Sequence, residues 1–168
     1  MAPKHTSRTP EALSHIHVVV IDDDARIGLI IRSVLEGLGF TNIRIFTDVE
    51  ESIAYLKLHI ADMIICDWQM SPTNGIDFIR YLRQKIQNTN RTVPVIMLSG
   101  NSEQSHVEMA RDNGVTEYVI KPFTARSLCS RIISVIENPR SFILAPEFKG
   151  PNRRRKKLPT SKERRKKT

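Results

Sequence analysis

The chain has 168 residues, 40% of them apolar and 26% charged, which is about one domain with core enough to fold without disulfide or metal staples. Its formal net charge of +8 conceals a split: residues 1–140 hold 15 Lys/Arg against 16 Asp/Glu, and residues 141–168 hold 11 against 2. The body of the chain therefore has no charge-based reason to bind nucleic acid, and the whole basic excess belongs to the C-terminal tail. The longest uninterrupted aliphatic run, VVVI at 18–21, is too short to span a bilayer, and MAPKHTSRTPEALS has no apolar signal core, so a cytoplasmic protein is expected.

Residues 1–14 read as a disordered lead-in. HVVVI (17–21) is a continuous β-branched run, as in a strand buried on both faces. Ile27, Ile30, Ile31, Val34, Leu35 and Leu38 then recur as one apolar stripe of a helix that stops at Gly39. NIRIF (42–46) is the second strand, and Asp48 with Glu51 resembles a capping box opening a helix through Ile53, Leu56 and Ile60. DMIIC (62–66) is the third strand, followed by a helix from Gly75 to about Gln87 with Ile76, Ile79, Leu82 and Ile86 inward. VPVIML (93–98), a helix over 102–113 closed by Gly114, EYVI (117–120) and a helix over 124–137 complete the alternation. Five strands alternating with five helices predict an α/β fold, a parallel sheet covered on both faces. Cys66 and Cys129 lie far apart in apolar surroundings and read as core residues. Helix five is apolar on more than one face, with Ile133 and Ile136 beside Leu128, Ile132 and Val135; the excess is either core width or a face for a second copy or a partner. Pro139, Pro146, Pro151 and Pro159, with the runs RRRKK (153–157) and KERRKK (162–167), mark a largely unstructured extension.

Four strands end in polar residues that their apolar runs do not explain: Asp22 and Asp23 after the first, Asp67 after the third, Ser99 after the fourth, Lys121 after the fifth. In open α/β sheets ligands bind beyond the carboxyl ends of the strands, where strand order reverses. With order 2-1-3-4-5 that point lies between strands one and three, which carry the three aspartates. Carboxylates gathered there repel at roughly 4 kcal/mol per pair at about 4 Å and a dielectric of about 20. A hard cation with oxygen ligands relieves this, and Mg²⁺ needs only two or three carboxylates because it keeps several waters. Lys121 and Ser99 are placed to receive phosphoryl oxygens, as an ammonium charge and a hydroxyl donor. Asp24, just before the first helix, reads as its cap.

VVVIDDDAR, CDWQM, IMLSG and ARDNGVTEYVIKPF resemble the motifs of response regulator receiver domains of two-component signalling, at the family's spacing, over residues 15–138. The resemblance implies the flavodoxin-like, CheY-like (βα)5 sheet, doubly wound, in order 2-1-3-4-5. It implies that Asp67 is the phosphoacceptor, that Asp23 binds Mg²⁺ directly and Asp22 through water, and that Asp67 and the backbone carbonyl of Gln69 are further ligands. Ser99 is then the switch hydroxyl, Tyr118 the switch aromatic, Lys121 the phosphoryl contact, and the peptide before Pro122 is cis. Gln69 and Asn101 occupy the positions that tune dephosphorylation. One departure is that Ser71 intervenes between Met70 and Pro72, where the family places Pro directly after the residue at Met70. The implied partners are a sensor histidine kinase or histidine phosphotransferase as donor and a protein target on the face of helix four, strand five and helix five, with a homodimer as a further option. Trp68 is a neighbour of the site whose fluorescence can report Mg²⁺.

The same reading makes the chain a signalling protein, with phosphotransfer and dephosphorylation of itself as its chemistry, rather than an enzyme. Gln69 stands where phosphatases of the haloacid dehalogenase type need a second carboxylate, and no G-x-G-x-x-G follows the first strand. Three alternatives remain for output: target binding, a phosphate sink in a phosphorelay, and regulated binding of nucleic acid or an acidic surface by the tail. The domain plan is a lead at 1–14, the receiver at 15–138 and a basic, unstructured tail at 139–168.

Overall fold

The computed structural model describes residues 13–145 and 148–152; the lead-in up to residue 12 and both basic runs lie outside the described residues. Strands and helices alternate as β1 (His17–Ile21), α1 (Ala25–Gly37), β2 (Asn42–Phe46), α2 (Val49–Leu58), β3 (Met63–Asp67), α3 (Gly75–Lys85), β4 (Val95–Ser99), α4 (Gln104–Asp112), β5 (Glu117–Ile120) and α5 (Ala125–Glu137). The five strands are parallel and ordered β2-β1-β3-β4-β5, the doubly wound α/β sheet expected from the alternation.

Every residue of β1, β3 and β4 is buried, because helices cover both faces and successive side chains point to opposite ones. Val19, Ile21, Ile64, Cys66, Val95 and Met97 pack in one layer with apolar residues of α2 and α3. Val18, Val20, Ile65, Ile96 and Leu98 pack in the other with those of α1 and α5. Burial pushes the Cys66 thiol well above its ordinary pKa, as suits an inert core residue. Asp24 accepts from the Arg26 N–H and caps α1.

Several details differ from the sequence reading. β3 runs one residue further than DMIIC and ends on Asp67 itself. β4 begins at Val95 because Pro94 has no N–H to give the ladder, and a 3₁₀ turn at Thr89–Thr92 leads into it. Ile30 and Ile60, assigned to inward stripes, are exposed: in α1 the buried line is Gly28, Ile31 and Leu35, and Ile60 follows the end of α2. The Asp48 carboxylate caps α2 through the Glu51 N–H, but the reciprocal capping box stands at Thr124 and Ser127, opening α5. In α5, Ile136 packs on the core as width, whereas Ile133 is exposed.

The extension expected to be unstructured begins as structure. β6 (Phe142–Leu144) and β7 (Lys149–Pro151) form an antiparallel pair, closed by a hydrogen bond from the Asn152 N–H to the Ser141 carbonyl. Its strands are three residues each and hold by packing on the body rather than by their own pattern. Among the described residues no helix is long and apolar enough to cross a membrane.

Candidate functional site

The carboxyl ends of β1, β3, β4 and β5 meet at one edge of the sheet. Asp22 directly follows β1, its N–H held by the Phe46 carbonyl. Asp67 ends β3, and the next N–H, of Trp68, donates to the Leu98 carbonyl of β4. Lys121 directly follows β5, its N–H donating to the Ser99 carbonyl at 2.7 Å. Strand register thus aims these side chains at one point before any side-chain contact is counted.

Carboxylate oxygens of Asp22, Asp23 and Asp67 all lie within 4.8 Å of one another. Asp22 and Asp67 are buried, while Asp23 is exposed at the rim. The Lys121 ammonium bridges the two buried acids, 2.8 Å from Asp67 Oδ1 and 3.2 Å from Asp22 Oδ2. The second Asp22 oxygen accepts from the Asp24 N–H at 2.9 Å. Burial raises the pKa of Asp22, with the Asp67 charge adding to it, against the opposing effects of the Asp24 N–H and Lys121. Burial works against the Lys121 ammonium, but the bond to Asp67 and the charges of both acids outweigh it, and its pKa is raised. Three acids and one amine leave the cluster short of positive charge, and its hard oxygen donors are of the kind that Mg²⁺ takes.

Around this centre Ser99 is buried, and its Oγ accepts from the Asn101 N–H at 3.1 Å. Tyr118 is half-buried and donates its hydroxyl to the Asn101 carbonyl at 2.7 Å. Asn101 therefore joins Ser99 to Tyr118, and its side-chain amide lies 3.1 Å from His106 Nδ1 at the start of α4. Trp68 packs between His106 and Tyr118, with ring centroids 5.1 and 6.4 Å away. Gln69 is exposed on the loop after β3. Where Ser71 departs from the expected pattern, its N–H reaches Asp23 Oδ2 at 3.3 Å. The peptides before Pro72 and Pro122 are both cis. The structure thus gathers Asp22, Asp23, Asp67 and Lys121 directly, and links Ser99, Tyr118 and Asn101 beside them.

Gly75, which the sequence marks only as the start of a helix, lies against the Asp67 backbone. A Cβ there would stand 2.1 Å from the Asp67 carbonyl oxygen, so only glycine lets α3 begin against the end of β3. Its position at the opening of an apolar helix was the available signal. His106 carries no signal of its own in the sequence; only the fold brings it to Trp68.

The family model for the response regulator receiver domain matches residues 18–133. The chain belongs to the response regulator receiver family. This receiver is 31% identical over 120 residues to the chemotaxis protein CheY of Pseudomonas aeruginosa, covering 71% of this chain and 95% of that one. It is 29% identical to the phosphate regulon transcriptional regulatory protein PhoB of Escherichia coli, covering 71% of this chain and 51% of PhoB. The receiver domain of the Francisella response regulator 1452 superposes with a TM-score of 0.65 at 27% identity, covering 73% of this chain and 98% of that one. The receiver domain of the sensor histidine kinase PA1611 of P. aeruginosa, whose structure has a magnesium ion coordinated in the active site cleft, superposes at 0.61 and 24% identity, covering 71% and 94%. Receivers are generally signalling proteins rather than enzymes, and this receiver carries the acidic cluster in which Mg²⁺ can sit.

Proposed function

We propose that this receiver takes a phosphoryl group from a phosphohistidine onto Asp67. The observation that carries the reading is the Lys121 ammonium bridging Asp67 and Asp22 beside the exposed Asp23. A carboxylate oxygen of Asp67 attacks phosphorus, the P–N bond breaks, and its electron pair stays with the donor imidazole, which takes up a proton. Asp22, Asp23, Asp67 and the Gln69 carbonyl would hold Mg²⁺, which supplies neutralisation of the acids and of the incoming phosphoryl charge. Lys121 binds one phosphoryl oxygen, and Ser99 donates its hydroxyl to another. Gln69 and Asn101, flanking the site, set how readily water removes the group. The donor is a sensor histidine kinase or histidine phosphotransferase.

Drawing Ser99 toward the phosphoryl group breaks its link to the Asn101 N–H, releases Tyr118 to turn inward and shifts α4 relative to β5 and α5. A groove of about 800 Å³ between these elements, lined by Val107, Arg111, Tyr118, Ile120 and Arg131 among others, favours target binding there over a phosphate sink. Beryllofluoride, a phosphoryl mimic, is expected to bind with Mg²⁺, to change Trp68 fluorescence and to lose all binding in Asp67→Ala. Binding that persists in that variant would refute the assignment.

A second reading is favoured by the charge split: residues 141–168 carry 11 Lys/Arg and 2 Asp/Glu. Such a segment neutralises phosphates of nucleic acid, with affinity falling steeply as salt rises.

A further inference from the structure

The phosphotransfer chemistry uses nothing beyond α5, yet residues 140–145 and 148–152 are fitted closely to the body. Arg140 Nη2 pairs at 3.1 Å with Glu117, the first residue of β5, which Arg131 also holds. The Phe142 ring lies 4.8 Å from the guanidinium carbon of Arg83. That guanidinium is fully buried and donates to the carbonyls of Arg91, Val93 and Gly114. Burial lowers its pKa to about 9. β7 packs against α4, and the two backbones touch where α4 ends. A Cβ on Gly114, which has φ +93°, would stand 2.6 Å from the Lys149 carbonyl oxygen; one on Gly150 would stand 2.9 Å from Gly114 Cα and 2.6 Å from the Phe148 ring. Gly114 is the turn that stops α4, its N–H bonded to the Arg111 carbonyl.

We propose that the hairpin Phe142–Pro151 is a clasp that favours the resting position of the α4–β5 corner, so that phosphorylation of Asp67 loosens it and passes the state of the site to the basic segment that follows Asn152. The inference rests on the phosphoacceptor reading and on the α4 shift that reading entails. Backbone-to-backbone packing through two glycines does not stretch: a displacement of an ångström either clashes or forfeits the contact. The contacts seen here belong to the arrangement in which Tyr118 is bonded to Asn101 and Lys121 to Asp67. A shifted α4 gives them up. By linkage the cost is reciprocal: what phosphorylation takes from the clasp, the clasp takes from phosphoryl binding. The clasp lies at the amino ends of β4 and β5, where Val93 and Gly114 are, while the acids lie at the carboxyl ends of the strands. A change in the clasp therefore acts on the site only through the fold.

The test uses the full chain with beryllofluoride and Mg²⁺. Phe142→Ala and Gly150→Ala are expected to bind beryllofluoride about fivefold tighter or more, read by Trp68 fluorescence, the low end of ordinary coupling between sites. In the unaltered protein, amide exchange at Lys149 and Gly150 is expected to speed up when beryllofluoride binds, a measurement that needs no variant to fold. Exchange that is the same with and without the mimic, or folded clasp variants of unchanged affinity, overturns the clasp while leaving the phosphoacceptor reading in place. Failure of the unaltered protein to bind beryllofluoride at all removes the phosphoacceptor reading, and the clasp with it.

Discussion

Asp22 is 1% exposed and shares the Lys121 ammonium with Asp67. Its carboxylate is thus desolvated next to a like charge with half a cation to offset it. Because its folded pKa is raised above 3.8, the stability it contributes is full below that value and is lost as pH rises through the raised one. Lys121, also raised, works in another window: its contribution is present through neutral pH and is lost as pH climbs through a value above 10.5. At neutral pH, then, Asp22 is the group that costs stability. Asp22→Asn keeps an oxygen for the Asp24 N–H and removes the charge. In the presence of a chelator at pH 7 it is expected to raise the urea midpoint of unfolding. The gain should shrink as the pH is taken toward 4, and added Mg²⁺ should stabilise the parent far more than the variant. A variant that is less stable than its parent at pH 7 without Mg²⁺ would show that the Lys121 pairing outweighs burial.

Among the five α-helices, α4 buries the fewest residues. It has nine residues, of which only Ala110 is buried, and Glu103 at its start makes no side-chain cap bond. By contrast α3 buries six of its residues, among them Ile76, Phe78, Ile79 and Leu82, and is capped by Asn74. Few buried contacts and no cap mean a low free energy of local opening. Amide exchange over α4 is expected to be at least tenfold faster than over α3 at pH 7, each tenfold being about 1.4 kcal/mol; equal protection would argue against α4 as the movable element. The sequence makes this contrast partly legible, since α3 offers Ile76, Phe78, Ile79 and Leu82 to the core whereas QSHVEMARD offers only Val107, Met109 and Ala110. The buried strands were legible from their unbroken apolar runs, and the acids and Lys121 from polar residues placed where those runs stop. The hairpin was not, because FIL and KGP carry no alternation and gain their order from Arg83, Gly114 and Glu117, residues far away in the chain. The exposure of Ile30 was illegible for a related reason: α1 can be rotated so that either Ile30 or Gly28 lies in the interface, and the close approach of Gly28 to Ile45, where a Cβ would stand 2.8 Å from Cγ2, decides it.

At the scale of the whole molecule the hairpin carries packed structure past residue 138, as far as the Asn152–Ser141 hydrogen bond. Arg83 shows why. It is a buried cation that burial alone disfavours; its two terminal nitrogens donate to three carbonyls, its Nε has no hydrogen-bond partner, and the Phe142 ring covers it on one side. Cutting the chain after Asn138 removes Phe142, removes Arg140 from the buried Glu117 and uncovers Gly114. Cutting after Asn152 removes none of these and takes away only the basic runs. The longer truncation is expected to cost about 2–3 kcal/mol, the loss of one aromatic cation contact and one partly buried ion pair, which is about 4–12 °C in unfolding midpoint for a domain of this size. The shorter one is expected to leave the midpoint within about a degree of the full chain while abolishing salt-sensitive binding to duplex DNA, if that second reading holds. Calorimetry of the three chains separates the two roles of the extension. Equal midpoints for the chains ending at 138 and 152 would mean that the hairpin rests on the receiver without supporting it. A nucleic-acid affinity that survives the loss of residues 153–168 would place any binding surface on the body, whose near balance of charges gives no reason to expect one.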